Sequence, residues 1–213
     1  MGDVQSAIAM YALVAGLAWA SGLRLYLTLF IIGLLVHFQV VPLPAAFDIL
    51  GHPWVLTASG IMLVAEFLAD KVPGFDSIWD GVHTFIRIPA GAILAGAAAG
   101  PADPVWVAVA AILGGVIASG THIAKSGTRA LINTSPEPFS NWAASLGEET
   151  LLLGGLWIMF VHPLIFLVAL TLFILFLLWL IPRVYRAMRG LFRARSETPE
   201  PPAPGEITES RGS

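Results

Sequence analysis

The sequence predicts an all-α, polytopic membrane protein with about six transmembrane helices, and three observations carry that expectation. Hydrophobic residues make up 57% of the 213-residue chain against 12% charged, and the mean hydropathy is +0.81, more than a soluble domain of this size hides. Apolar runs of the roughly 20 residues that a bilayer core requires recur along the chain. The charges are segregated at the ends of those runs. Cysteine is absent, which excludes disulfides and thiolate metal sites and leaves His, Asp and Glu as metal ligands.

The first apolar run extends from Ser6 to Phe38 and is interrupted only by Ser21-Gly22-Leu23-Arg24. As one helix it would be about 50 Å long against a hydrocarbon core of about 30 Å, so it must break, tilt or fold back. Its Ala18-Trp19-Ala20 has the form of a signal cleavage site. The preceding segment holds Asp3 and no basic residue, however, and the run continues past Ala20, both against a leader. Leu43 to Pro53, with Pro42, Pro44 and Gly51, reads as an irregular or interfacial link. Trp54 to Ala69 is the second span. Ser77 to Gly100 starts polar and becomes Ala/Gly-rich from Ala90, so it enters the membrane partway along as the third. Val105 to Thr121, Ala143 to Val161 and Pro163 to Ile181 complete the six. The domain reading is a transmembrane domain over 1–182, a basic amphipathic extension over 183–195 and a disordered tail over 196–213.

Basic residues near span ends stay in the cytoplasm. Six spans with a cytoplasmic C-terminus place Lys71, Arg87, Lys125, Arg129 and the arginines at 183, 186, 189, 193 and 195 inside, while the links around His52, Asp103 and His162 have no basic residue. The expectation is a bacterial inner membrane protein with both termini cytoplasmic. Arg24 alone does not fit and is marked as an intramembrane or externally facing charge. Ala20-Ser-Gly-Leu-Arg24-Leu25 echoes Lys125-Ser-Gly-Thr-Arg129-Ala130. That echo suggests an inverted repeat of three plus three spans, over 5–100 and 105–181, with each Ser-Gly-x-Arg a helix break whose freed amides face a ligand.

Asp76, Asp80, His83 and Arg87 recur at i, i+4, i+7 and i+11 on one helical face. They are pathway candidates, and Asp76, Asp80 and His83 are also the candidate metal set. The competing reading is a solvated face, against which Arg87 weighs because an ionised side chain near hydrocarbon is costly unless paired. Glu66 and Asp70 near the end of the second span, and Glu148-Glu149 near the start of the fifth, reach similar depth. His122 follows Ala110, Gly114 and Ala118 on a small-residue face that matches Ala92, Gly96 and Gly100. Arg24, Lys125, Arg129, Glu137 and Asn141 complete the candidate set, the last two in a Pro-stiffened link. No phosphate loop, zincin helix, lipase elbow or dinucleotide fingerprint is present.

The strings Gly22-Leu-Arg-Leu-Tyr-Leu-Thr-Leu29, Glu66-Phe-Leu-Ala-Asp-Lys-Val-Pro-Gly74, Asp76-Ser-Ile-Trp-Asp-Gly-Val-His-Thr-Phe-Ile-Arg87 and Gly127-Thr-Arg-Ala-Leu-Ile-Asn-Thr-Ser-Pro-Glu-Pro-Phe-Ser-Asn-Trp142 together resemble the bacterial membrane family known as domain of unknown function 4126. The resemblance runs to about residue 180. It implies a multi-span membrane protein and no settled activity. A shorter likeness, over His83 to Gly91, is to the Arg/Pro/Gly segment of DedA-type lipid transporters and carries no residues over.

Function is therefore read from the charges. Transport or channel-like permeation is the first expectation, because ionisable residues lie at membrane depth on several helices. Arg24, Arg87 and Arg129 slightly favour a small anion or a phosphate-bearing lipid head group, with proton coupling open. The carboxylate and His set favours a proton or a divalent cation instead. A membrane-embedded lipid hydrolase or transferase using Asp76, Asp80 and His83 is the enzymatic alternative. No cofactor is required apart from that metal option. The partners expected are the bilayer, anionic lipids at the basic tail and a homo-oligomer, with no nucleic acid.

Overall fold

A computed structural model describes residues 2–72, 74–133 and 138–196. All regular structure among the described residues is helical: α1 Gly2–Leu23, α2 Leu25–His37, a 3-10 helix Ala45–Gly51, α3 Pro53–Ala69, α4 Phe75–Ala98, α5 Pro104–Ile132, α6 Pro138–Val161 and α7 Pro163–Ser196. Glu137 and the tail expected beyond residue 196 lie outside the described residues. Among the described residues, those up to Ile174 form one compact unit and those from Leu175 a second. In the second, Trp179 lies beneath the Arg183 guanidinium, 3.6 Å from ring centroid to Cζ.

Local chemistry sets the helix boundaries. The helices α3, α5, α6 and α7 each start on a proline, whose missing N–H costs nothing in a first turn. Asp103 caps α5 by accepting from Val105 N at 2.8 Å. Gly74 and Gly100 flank α4 with φ of +83° and +65°, a region that other residues enter at a cost. The first apolar run breaks at Arg24, which is extended at φ −147°, ψ 95°.

Five of these helices are long and apolar enough to cross a bilayer, and a sixth span results if the 3-10 helix and α3, bent by 69°, count as one. Burial is inside out. Arg24, Glu66, Asp70, Asp76, Arg87 and Arg129 are fully buried, while Trp54, Ile61, Phe85, Ile93, Ile112 and Leu172 are exposed. Water would select the opposite distribution, and hydrocarbon selects this one. The chain is an all-α polytopic membrane protein.

The helix α1 is the most enclosed of the spans. Its early residues Met10 and Leu13 line an apolar cavity of about 310 Å³ together with Pro42, Pro44, Pro101 and Met159. The start of α1 therefore shares one end of the unit with the turns after α4 and α6. The other end holds Arg24, Asp70 and Asn133. This corrects the expectation that placed the N-terminus and Asp103 on opposite sides, because α1 crosses once before Arg24 and α2 folds back toward the Pro101 end.

Glycine and alanine bring α1, α4 and α5 together. A Cβ on Gly22 would overlap the Ala118 carbonyl, and one on Gly114 would sit 2.9 Å from the Gly91 carbonyl oxygen. The seam lies one residue over from the expected face. Gly91 and Ala95 carry it, while Ala92, Gly96 and Gly100 border an open groove with Val107 and Ala111. Gly114→Val is expected to destabilise by about 1–3 kcal/mol through overpacking. Gly127, with nothing within 4 Å of its Cβ position, is expected to accept alanine with a gain of up to about 1 kcal/mol. Thermal melts in detergent compare the two, and equal melting points would contradict the seam.

Candidate functional site

The face of α4 expected from spacing does turn inward. Asp76, Asp80, His83 and Arg87 are all buried, and Arg87 lies midway along the 24-residue helix, about 18 Å from either end. Its guanidinium is shared by two carboxylates: Nη2 donates to Glu66 Oε1 at 2.5 Å and Nη1 to Asp80 Oδ1 at 2.6 Å. Nη1 also lies 3.2 Å from His122 Nδ1. A guanidinium only donates, so Nδ1 accepts and the ring hydrogen sits on Nε2. That nitrogen is 2.6 Å from Thr84 Oγ1, whose hydroxyl donates to the Asp80 carbonyl at 2.9 Å. Arg87 thus fixes the tautomer of His122 across the α4–α5 seam.

A second group lies one to two turns nearer the Asp70 end. Asp70 Oδ2 receives Arg24 Nη2 at 2.6 Å, Lys125 Nζ at 3.5 Å and Arg129 Nη2 at 3.6 Å. Arg129 grips Glu148 with two bonds, Nε to Oε1 at 2.9 Å and Nη2 to Oε2 at 3.0 Å, the planar fork that carboxylates match. Arg24 also reaches Glu148 and Glu149 at 3.5 Å and donates to Ser145 Oγ at 2.7 Å. Lys125 connects the two groups, because its ammonium is 3.5 Å from each of Asp70, Asp80 and Glu148.

At the Asp70 end itself, Asp76 Oδ1 accepts from Gly74 N and Ser77 N at the start of α4 and from Asn133 Nδ2. Asn141 donates to Asn133 Oδ1 at 2.9 Å. The Lys71 ammonium packs over the Phe67 ring, 2.8 Å from its centroid, with the Trp142 ring 5.2 Å away. Burial lowers its pKa from the usual lysine value, and Glu149 opposes the shift.

Several expectations change. The Ser126-Gly-Thr-Arg129 copy of the repeat lies inside an unbroken α5, so it frees no amides, and only the Arg24 copy is a break. The metal set does not assemble. Asp76 caps a helix, Asp80 holds Arg87, and His83 Nδ1 lies 2.8 Å from its own helix's Trp79 carbonyl while the ring stacks on Trp79 at 4.2 Å. Among the described residues no three His, Asp or Glu side chains are arranged for a metal ion. Glu66, Asp80 and Arg87 form a packed, occluded network rather than the walls of an open cavity, with Asp76 and His83 buried outside it. Sequence reasoning missed Ser145, Thr84 and Asn133, whose residue types carry no signal until helices are paired. Tyr26, edge-on to His83 at 5.7 Å, was equally silent.

The network brings Arg24, Arg87, Lys125 and Arg129 together with Glu66, Asp70, Asp80, Glu148 and Glu149, and Asp76 lies just beyond them. Acids outnumber bases, and Glu66 Oε2, Asp70 Oδ1 and Asp80 Oδ2 are buried without a hydrogen-bond partner. From the Asp70 end it reaches Arg87, midway along α4. The Gly91–Ala118 seam and apolar core then close the way to the Pro101 end.

No curated protein and no solved structure matches the chain. The model of the family described as Domain of unknown function (DUF4126) matches residues 11–183, and the chain belongs to that family.

Proposed function

We propose that the protein is a membrane transporter whose pathway is the buried ion network, and that its cargo is a cation. The observation that carries this reading is the network's makeup: an excess of carboxylates at membrane depth, with Glu66 Oε2, Asp70 Oδ1, Asp80 Oδ2 and Glu149 Oε1 buried without a hydrogen-bond partner, as are Arg24 Nε and Nη1 and Arg87 Nε. Intramembrane ionisable residues are expensive and mark pathways far more often than scaffolds. An anionic cargo is less well served, because Arg24, Arg87 and Arg129 are each already engaged by carboxylates. A hydrolase centred on Asp76, Asp80 and His83 lacks convergence of those side chains.

The basic residues collected at the Asp70 end and the arginines from Arg183 onward favour a cytoplasmic C-terminus and a cytoplasmic Asp70 end. The start of α1 then faces outside. A bacterial inner membrane is the setting suggested by the family resemblance. Arg183 and Arg186 are exposed and suit anionic lipid head groups, while the side chains of Arg189, Arg193 and Arg195 lie outside the described residues.

Flux into proteoliposomes tests the reading. Purified protein is expected to move rubidium down its gradient, and Glu66→Gln and Asp80→Asn are expected to slow that movement by about tenfold or more, as loss of a pathway charge does. Rubidium flux no greater than in empty vesicles, or phosphate flux in its place, would sink the proposal.

A further inference from the structure

Lys125 is the one basic side chain of the network held by no short contact. Arg24, Arg87 and Arg129 each have a partner within 3.0 Å, whereas the Lys125 ammonium stands 3.5 Å from Asp70 Oδ2, Asp80 Oδ1 and Glu148 Oε2 alike. These three carboxylates come from α3, α4 and α6, and Lys125 reaches between them from α5. Asp70 Oδ1 and Asp80 Oδ2 belong to the same cage, are buried, and have no partner. The oxygens that face the ammonium are each held closer by an arginine, Asp70 Oδ2 by Arg24, Asp80 Oδ1 by Arg87 and Glu148 Oε2 by Arg129, so the cage stands without help from Lys125. Charge-assisted N–H···O bonds run at about 2.7–2.9 Å, so Lys125 is held more loosely than the three arginines.

We infer that the Asp70–Asp80–Glu148 cage is the transport site for a large monovalent cation, and that Lys125 is a tethered occupant exchanging its proton for that cation. The inference deepens the cation-transport reading and rests on it. Size argues for the class of ion: oxygens 3.5 Å from the cage centre are too far apart for magnesium or calcium, which need about 2.0–2.6 Å. With Lys125 in place the three carboxylates are not arranged for a metal ion, and they would close on one of ammonium or potassium size only after the amine has left. Charge argues for the exchange. When the N–H bond of the Lys125 ammonium breaks, the proton goes to water, the electron pair stays on nitrogen, and the neutral amine moves aside. One monovalent cation then takes the place of one proton, so the buried charge is unchanged and no uncompensated ion is left in the membrane. The other charged groups facing Lys125 are Arg24, through Asp70 and Glu148, Arg87, through Asp80, and Arg129 on its own helix, where the neutral His122 ring also lies. The guanidiniums hold the carboxylates in place without releasing protons of their own.

The experiment measures rubidium uptake and proton release together, in proteoliposomes containing a trapped pH indicator, for wild type, Lys125→Gln and Lys125→Arg. Wild type is expected to release about one proton per rubidium and to be insensitive to membrane potential. In Lys125→Gln, the rubidium flux that remains is expected to carry no more than about a tenth of the wild-type proton release per rubidium and to be driven by the potential. Lys125→Arg fills the cage with a charge that does not leave. It should fold, as judged by size-exclusion profile and melting point, and should move rubidium at no more than about a tenth of the wild-type rate. Coupled flux retained in Lys125→Gln, or normal exchange in Lys125→Arg, would overturn the inference and leave cation transport standing. Rubidium flux absent from wild type would remove the transport reading itself. If Lys125→Gln does not fold, Lys125→Arg decides alone.

Discussion

Arg87→Ala is expected to destabilise the folded protein by about 3–5 kcal/mol, because it leaves Glu66 and Asp80 buried with no cation between them. The loss should appear as a lower unfolding midpoint in a denaturing-detergent titration and as reduced abundance in the membrane. Combining Arg87→Gln with Glu66→Gln and Asp80→Asn removes the charges together, and most of the stability is expected to return, since a pair replaced as a unit often costs little. Arg87→Lys should recover less, because one ammonium does not span two carboxylates and a histidine nitrogen as the guanidinium fork does. An Arg87→Ala protein as stable as wild type would contradict the pairing.

Asp70→Asn is expected to have the broadest effect. Its Oδ2 serves Arg24, Lys125 and Arg129, and its backbone carbonyl accepts from Arg129 Nη1 at 3.1 Å. The substitution leaves the carbonyl bond but removes the charge common to three cations, so a loss of at least about 3 kcal/mol is expected. Adding Lys125→Gln to Asp70→Asn restores the balance of charge. Stability should then rise again while rubidium flux stays absent, because the cage has lost a wall. The same unfolding titration and flux assay read both outcomes. Full flux in Asp70→Asn would exclude the cage from the pathway.

The fold was legible because hydrocarbon imposes a crude rule. An apolar run such as Pro163 to Ile181 announces itself by length, and the oversized first run had to break, tilt or fold back. The break at Arg24 was marked by its Ser-Gly, yet the same dipeptide at Ser126-Gly127 continues a helix. A glycine permits a turn without requiring one, so packing decides. The inward face of α4 was legible because four ionisable residues at helical spacing cannot all face lipid. That Asp76 caps its own helix instead of joining a metal site was not legible, since spacing gives a face but no side-chain partner. Nor was the central position of Lys125, which depends on α3, α4, α5 and α6 meeting at one level. That the start of α1 lies beside Pro101 was not legible for a related reason: counting spans treats α2 as a continuation of α1, whereas it folds back.

Because the chain contains no cysteine, a single cysteine at Ser145 makes a clean probe of the cation pathway. Ser145 is fully buried and bonded to Arg24. In membrane vesicles, its reaction rate with a cationic methanethiosulfonate reagent is compared with that of an anionic one of similar size, applied from each side in turn. A cation pathway reaching inward from the Asp70 end predicts faster reaction with the cationic reagent, by about tenfold or more given charge focusing in a confined cleft, from the Asp70 side and not from the Pro101 side. Faster reaction with the anionic reagent, or reaction from the Pro101 side alone, would contradict it.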